Sequence, residues 1–193
     1  MVGKIFITRS GYDPEKGKHV KDPYLGPNPT MGACRPDIRK QLKIGDHIFA
    51  ISGKLKGSNQ FVMGGFSIVE KIPVQEAYER FPEQKLHTLE DGQLAGNIIV
   101  DRSGRQLNID THKPETIDQR VKNYVVGGDP ICLETPKEIM LGRNETLDAL
   151  REILKRKGGS PFEVVGRYGT LLTEEQVEGL RTWLESIKKR AIA

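Results

Sequence analysis

The chain has 193 residues and a net charge of +4, from 30 Lys and Arg against 26 Asp and Glu, a length that suits one domain with a core. Its two cysteines, Cys34 and Cys132, are too few for a disulfide-stabilised scaffold or a cysteine-rich zinc site. Because no apolar run approaches the ~20 residues that cross a bilayer, we expect a cytoplasmic protein without membrane contact.

Positive charge is concentrated at the start of the chain. Residues 1–56 hold eleven Lys or Arg against five Asp or Glu, an excess of +6 that leaves −2 for the rest. A basic segment of this kind favours a phosphate or a polyanion as partner. The alternative is a positively charged surface without a specific partner.

The first elements are a strand and a long polar loop. The β-type run from Lys4 to Arg9 predicts an opening strand, and the turn-forming, charged residues from Ser10 to Pro23 predict an exposed loop. His19 lies in this loop among lysines. We therefore expect His19 to be solvated and not to act as a ligand or catalyst.

A loop, a short helix and a strand are predicted between Tyr24 and Ile51. Two prolines stiffen the loop at residues 26–30, Pro36 suits the first position of a helix, and Gly45 marks the end of that helix. His47 to Ile51 is apolar and partly β-branched, which is typical of a strand.

Two arginines in this stretch suggest an anion site. Arg35 and Arg39 are four residues apart, so in a helix their side chains would share one face. Their guanidinium groups would then point the same way and could bind a phosphate or a carboxylate.

The middle of the chain predicts several short strands. The interval from Gln60 to Ile72 contains the pair Gly64-Gly65, which indicates a bend or bulge, with close approach of a ligand as the second explanation. Further strands are predicted at residues 97–101, 105–109, 121–126 and 131–133, and a helix at 74–81. Strands that are neighbours in sequence favour an α+β fold built on a small curled β-barrel.

The last third predicts helices. Apolar residues at helical spacing predict one helix from Asn144 to about Lys157, and Thr173 with Gln176 has the form of a capping box that begins a second helix. Trp183 lies on the apolar face of the second helix, where packing is expected. We accordingly divide the chain into a barrel domain, residues 1–140, and a helical C-terminal extension, residues 141–193, packed on the same domain.

Common catalytic motifs are absent from the sequence. It has no glycine-rich nucleotide loop, no Gly-x-Ser-x-Gly and no His-Glu-x-x-His, and its four histidines lack metal-ligand spacing. We therefore expect no cofactor and no bound metal. Cys34, Asp46 and His47 are the candidates for a nucleophilic site; the alternative is a small buried thiol behind the short helix, with Asp46 holding a turn.

The central stretch resembles a known family. Asn28-Pro29, Gly32, Cys34-Arg35-Pro36, Ile38-Arg39, Gly45-Asp46 before an apolar strand, and Phe61-Val62-Met63 further on are similar to the second type of nucleotide modification associated domain. The Lys-x-Gly-Asp pattern before a strand also resembles the wider PUA-like group, which includes EVE, YTH and ASCH domains. The similarity covers residues 5–72 best and residues 97–133 weakly.

The resemblance implies a small PUA-like barrel with flanking helices that receives one base, often modified, in a pocket. Eight residues are the binding candidates that it suggests here: Asn28, Thr30, Cys34, Arg35, Arg39, Asp46, His47 and Phe49. His47 stands where the family usually has an aromatic residue. Stacking on a base would therefore fall to other rings, namely Tyr24, Phe49, Phe61, Phe66 or Tyr124.

The functional hypothesis is binding of a modified base or nucleotide, free or within nucleic acid, without catalysis. Arg35 and Arg39 would contact phosphate, while Asn28 and Asp46 would read the edge of the base. Two alternatives stay open. One is an enzyme acting on a nucleotide or nucleic acid, and the other is a protein-interaction module that uses the C-terminal helices.

Overall fold

The structure, a computed structural model, describes residues 2–192. The strands are β1 (Gly3–Ile7), β2 (Thr30–Met31), β3 (His47–Ile51), β4 (Val62–Ile72), β5 (His87–Thr88), β6 (Leu94–Ala95), β7 (Tyr124–Cys132) and β8 (Thr170–Leu172). The helices are α1 (Pro36–Gln41), α2 (Val74–Arg80), α3 (Ile117–Arg120), α4 (Pro136–Leu154), α5 (Pro161–Val165) and α6 (Glu174–Ile192). Within residues 2–192, none of the helices combines the length and the apolar character that crossing a membrane requires.

Six strands form one mixed sheet in the order β2-β7-β4-β3-β1-β8, and β5 pairs with β6 as a separate hairpin. β1 and β3 are parallel, whereas the other neighbours in the sheet are antiparallel. The α+β class predicted from the sequence is confirmed. The closed barrel is not confirmed, because β2 and β8 are the two edges of an open sheet.

Helices cover both faces of the parallel pair formed by β1 and β3. Gly3 lies beside His47 in the register, and it packs closely against Val177 of α6. On the opposite face the Lys4 Nζ donates a hydrogen bond to Gln41 Oε1 of α1, at 3.2 Å. Because both faces are covered, all five residues of β3 are buried, which explains its continuous apolar sequence.

The glycine pair in β4 permits close packing against neighbouring elements. A Cβ at Gly64 would lie 2.2 Å from the carbonyl oxygen of Ile131, and one at Gly65 would lie 2.4 Å from the Phe49 ring. The pairing of β4 with β7 also shifts register between Gly65 and Ser67. The predicted irregularity is confirmed, and packing of β7 and Phe49 accounts for both glycines.

Two predicted strands are wrong. Residues 97–101 and 105–109 take part in two isolated bridges, between Lys85 and Ile98 and between Val100 and Gln106, and form no regular strand. The backbone N–H groups of Asn97 and Ile98 both donate to the carbonyl of Gln84, so this segment pairs with a turn and not with the sheet. The two strands predicted at 121–126 and 131–133 are instead one strand, β7, which continues through its glycines.

Both long helices begin at capping boxes. The Thr135 side chain accepts from the Glu138 N–H and the Glu138 carboxylate accepts from the Thr135 N–H, so α4 starts at Pro136 and not at Asn144 as predicted. The box of Thr173 and Gln176 before α6 is confirmed. The boundary expected at residue 140 falls inside α4.

α6 is part of the hydrophobic core. It packs on α4, β7 and β8, and the four residues along its buried stripe have no exposed surface: Val177, Leu180, Leu184 and Ile187. Trp183 is half-buried against the same cluster, which confirms its predicted packing role. The apolar face that a docking helix would offer to a partner is thus already occupied inside this chain.

We expect Leu184→Ala to lower the free energy of unfolding by about 2–5 kcal/mol, because it removes a fully buried side chain. Leu171→Ala is the matched control, since Leu171 is 51% exposed, and its effect should stay within about 1 kcal/mol. Urea unfolding measures both. Equal effects of the two substitutions would contradict the packing of α6 described here.

Candidate functional site

Arg39 is buried and bonded to the backbone of the chain itself. It is 0% exposed. Its Nε donates to the Cys34 carbonyl at 3.1 Å, Nη1 to the carbonyls of Lys122 and Asn123, and Nη2 to that of Arg120 at 2.6 Å. Four of its five N–H donors are thus used to tie α1 to the segment before β7, so Arg39 cannot bind an external anion.

Arg35 points elsewhere. It caps the start of α1 without belonging to the helix, and its backbone is left-handed, with φ of 47°. The guanidinium pairs with Asp37 at 2.6 Å, donates to the Tyr168 carbonyl at 2.8 Å and lies 5.4 Å from the centre of the Phe6 ring. The two arginines therefore do not form the anion site that their spacing predicts.

Thr30 belongs to a buried polar network that the sequence did not reveal. Asn97, which is 0% exposed, donates from Nδ2 to Thr30 Oγ1 at 2.9 Å and to Asp22 Oδ1 at 3.1 Å. The Tyr124 hydroxyl donates to Asn97 Oδ1 at 2.7 Å. These bonds hold β2 against β7, so we assign Thr30 a structural role and not a binding role.

Asp22 is the anionic centre of this network. Its carboxylate accepts hydrogen bonds from the backbone N–H groups of Gly32, at 3.1 Å, Ala33, at 3.0 Å, and Cys34. Burial raises the pKa of Asp22, while these donors and Arg39 oppose that shift. The sequence offered no signal for this role, since Asp22 lies in a loop rich in charged residues.

The proposed nucleophilic group is not assembled. Burial, with the nearby Asp22 carboxylate, raises the pKa of the Cys34 thiol to about 12, so the reactive thiolate is strongly disfavoured at neutral pH. Asp46 accepts from the N–H groups of Val2 and Lys43, which holds the turn before β3. Among residues 2–192, no hydrogen bond joins Cys34, Asp46 and His47. The alternative agrees better with the structure, since Cys34 is a partly buried thiol with a raised pKa and Asp46 holds the turn.

His47 and Phe49 face α6. Phe49 is fully buried, and the His47 ring is stacked on it with centres 6.3 Å apart. Burial, together with Arg181, lowers the pKa of His47, while the carboxylates of Asp129 and Glu178 act in the opposite direction. Its Nδ1 has no hydrogen-bond partner among the described residues.

A cavity of about 310 Å³ lies beside the predicted loop, although the predicted residues do not line it. We call it the tyrosine cavity, because Tyr12 and Tyr24 form part of its wall. Its other walls are the loop from His19 to Pro27, Met63 of β4 and the segment from Cys132 to Glu134. Asn28 is exposed just beyond this wall. The volume is at the lower end of the ~300–1,000 Å³ found for small-molecule sites.

The tyrosine cavity combines an apolar floor with polar groups at its edge. Met63 and Leu133 are buried and contribute hydrophobic surface. Tyr24, His19 and Glu134 are exposed on their loops and can donate or accept hydrogen bonds. Burial raises the pKa of Tyr12, so its phenol stays protonated and available as a donor. Of the five rings expected to stack on a base, Tyr24 is the one that lines this cavity.

The thiol in the tyrosine cavity is unreactive. Burial, reinforced by the Glu134 carboxylate, raises the pKa of Cys132 to about 12. A thiol with this pKa is almost fully protonated at neutral pH and is a poor nucleophile. Cys132 is therefore not suited to act as a nucleophile in this cavity.

A shallow groove continues from the tyrosine cavity towards α6. It shares Leu25, Gly26 and Pro27 with the cavity and adds two cations, Arg181 and Lys188. Both cations are occupied by the protein itself, since Arg181 pairs with Asp129 at 2.7 Å and Lys188 with Glu138 at 3.2 Å. This groove offers little free positive charge.

A second polar cluster, centred on Asp110, was not predicted from the sequence. The His112 Nδ1 lies 2.7 Å from Asp110 Oδ1, and Lys21 lies 3.6 Å from the same oxygen. Gln106 donates to Asp110 from the other side, at 2.9 Å. The cluster links the loop at Lys21 to residues 106–112, which is a structural role. Within residues 2–192, no set of three or more His, Cys, Asp or Glu side chains could hold a metal ion.

Comparisons of the chain with models of protein families, with curated proteins and with solved structures found no match. The resemblance to the PUA-like group therefore stays a prediction. Function has to be argued from the geometry of the site, since the fold class by itself does not specify an activity.

We expect Arg39→Ala to cost about 3 kcal/mol or more of unfolding free energy, because it leaves several buried carbonyls without donors. Arg35→Ala is the matched control. Its ion pair with Asp37 is accessible to solvent, so the cost should be about 1 kcal/mol or less. Chemical denaturation distinguishes them, and a cost for Arg39→Ala as small as that for Arg35→Ala would show that Arg39 is not a structural residue.

His47 makes stability depend on pH. Because its folded-state pKa is lowered, the unfolded chain takes up the proton more readily below its own pKa of ~6.5. The stability contribution of the neutral ring is thus present above that pH and is lost as the pH falls. As the pH falls from about 7.5 to about 5.5, the melting temperature of wild type should therefore decrease more than that of His47→Gln. His19→Gln, at an exposed position, is the control and should track wild type.

Proposed function

We propose that this protein binds a nucleobase in the tyrosine cavity, as a nucleotide or as part of a nucleic acid. The observation that carries the proposal is the composition of the cavity, with two tyrosines and polar edge groups over an apolar floor. Sites for small planar ligands combine apolar walls with a few polar groups that fix orientation.

Stacking would supply most of the binding energy. A base placed against a tyrosine gains about 1–3 kcal/mol, and the gain depends little on which base is present. Tyr24 is 37% exposed, so its ring is accessible from solvent. Its loop is rigid, since the N–H groups of Tyr24 and Thr30 each donate to the other residue's carbonyl, at 2.9 and 3.0 Å.

Selectivity would come from the edge and the floor of the cavity. The Tyr12 phenol, the His19 imidazole and the Glu134 carboxylate can pair with donors and acceptors on a base edge. Met63 and Leu133 offer apolar surface on which an alkyl substituent of a modified base would lose contact with water. This arrangement supports a preference for an alkylated base over a plain one.

A binding role accounts for the site better than catalysis. Both thiols are held protonated, at Cys34 and at Cys132. A cysteine nucleophile requires a thiolate, which usually depends on a neighbouring base or cation. The PUA-like assignment is part of the same proposal. It is supported by the mixed six-stranded sheet and the flanking helices, whereas a closed barrel is not part of it.

We expect Tyr24→Ala to weaken binding of a nucleoside monophosphate by about 1–3 kcal/mol, because it removes a stacking wall. Tyr168→Ala is the matched control, since Tyr168 is 72% exposed and lies outside the cavity, beside Arg35. Isothermal titration of plain and methylated nucleotides measures both variants. The methylated forms should bind more tightly.

Two outcomes would contradict the proposal. If no nucleotide, plain or methylated, binds the wild-type protein, the tyrosine cavity is not a nucleobase site. If Tyr168→Ala abolishes binding while Tyr24→Ala does not, the ligand lies on the surface near Arg35 and not in the cavity. Thermal unfolding of each variant without ligand shows whether the substitution has affected folding.

A further inference from the structure

A second, larger cleft of about 780 Å³ lies between the β3–β4 loop, α4 and the start of α5. We call it the Lys54 cleft. Its lining includes three cations, Lys54, Arg143 and Arg151, and one carboxylate, Asp148. The lining also includes two exposed carboxamides, Asn59 and Asn144, and the half-exposed ring of Phe162.

The local charge of the Lys54 cleft is positive after its ion pairs are counted. Arg143 shares the Asp13 carboxylate with Lys16, at 3.0 and 3.4 Å, and Arg151 pairs with Asp148 at 2.8 Å. Lys54 forms no ion pair among the described residues. Within the lining, three cations face one carboxylate, an excess of +2, and the Glu163 carboxylate beside it, which accepts from the Gly159 N–H at 2.7 Å, lowers this to +1.

Arg143 connects the Lys54 cleft to the tyrosine cavity. It lines the cleft, and its Nη2 donates to the Tyr12 carbonyl at 3.4 Å, while Tyr12 lines the cavity. Both side chains also pack on Phe61, with ring centres 6.1 Å apart for Tyr12 and the guanidinium 5.5 Å from the ring for Arg143. Arg143 of the cleft thus contacts Tyr12 of the cavity directly, so the two sites are neighbours.

We propose that the Lys54 cleft binds the sugar-phosphate strand next to the base held in the tyrosine cavity, so that the ligand is a single-stranded nucleic acid and not a free nucleotide. This inference rests on the proposed function and names its substrate class. Lys54 and Arg151 contact phosphates, Asn59 and Asn144 bond sugar and phosphate oxygens, and Phe162 stacks on a neighbouring base. Cations together with an exposed aromatic ring are the usual features of single-strand sites.

The test compares two probes on three proteins. The probes are a nucleoside monophosphate and a single strand of about ten nucleotides, a length within the ~4–16 that such sites cover. The proteins are wild type, Lys54→Glu and Lys113→Glu. Lys113 is exposed like Lys54 and lies outside the cleft, so its substitution changes the net charge equally.

The wild type should bind the strand at least about tenfold more tightly than the monophosphate at low salt, because strand contacts add to the base contacts. Lys54→Glu should remove most of this advantage and make the salt dependence shallower by about 0.7 per lost phosphate contact. It should leave binding of the monophosphate unchanged. Lys113→Glu should behave as wild type, and Phe162→Ala should weaken only the strand, by about fivefold or more.

Each alternative outcome identifies what has failed. If the wild type binds both probes equally, or if Lys54→Glu and Lys113→Glu have the same effect on the strand, the cleft is not a strand site and the cavity proposal stands. If the wild type binds neither probe, the proposed function fails and this inference fails with it. Binding of the strand that Tyr24→Ala leaves unchanged would separate the cleft from the cavity and overturn their linkage.

Discussion

The structure around the candidate site depends on one buried carboxylate. Asp22 accepts hydrogen bonds from three successive backbone N–H groups, at residues 32–34, and from the Asn97 amide. Burying this carboxylate without partners would cost several kcal/mol, so the folded chain has to bring all of these donors to Asp22. The result is that the chain folds back on itself between Asp22 and Cys34, and the Tyr24–Pro27 loop projects from that fold as a wall of the tyrosine cavity.

The same constraint explains why the arginines are not the binding groups. Once residues 32–34 are held by Asp22, the Cys34 carbonyl lies near the carbonyls that precede β7, and Arg39 donates to all of these. Arg35 is left at the start of α1 in a left-handed conformation, where it packs on Phe6 and pairs with Asp37. The sequence does not distinguish a structural arginine from a ligand-binding one. Both kinds of arginine occur among polar residues.

Local patterns predicted the individual elements well where local physics decides them. The sequence predicted the strands at 47–51 and 62–72, the helix at 74–80 and the capping box before α6. Apolar patterns and capping residues indicate such elements within a few residues. The segment 97–109 was misjudged because its strand-like composition reflects burial in a second core cluster, not pairing in the sheet. The start of α4 was placed too late because the proline and capping residues precede its most regular apolar spacing.

By itself, the sequence determined the α+β class, most of the sheet strands and the amphipathic C-terminal helices. Tertiary structure alone decided which side chains face the solvent. Arg39, Thr30 and Phe49 are 0% exposed, whereas Tyr12, Tyr24 and Lys54 remain accessible around cavities. The reason is that a cavity forms between segments far apart in the chain, such as residues 12–27 and 132–134, and no local pattern records how such segments meet.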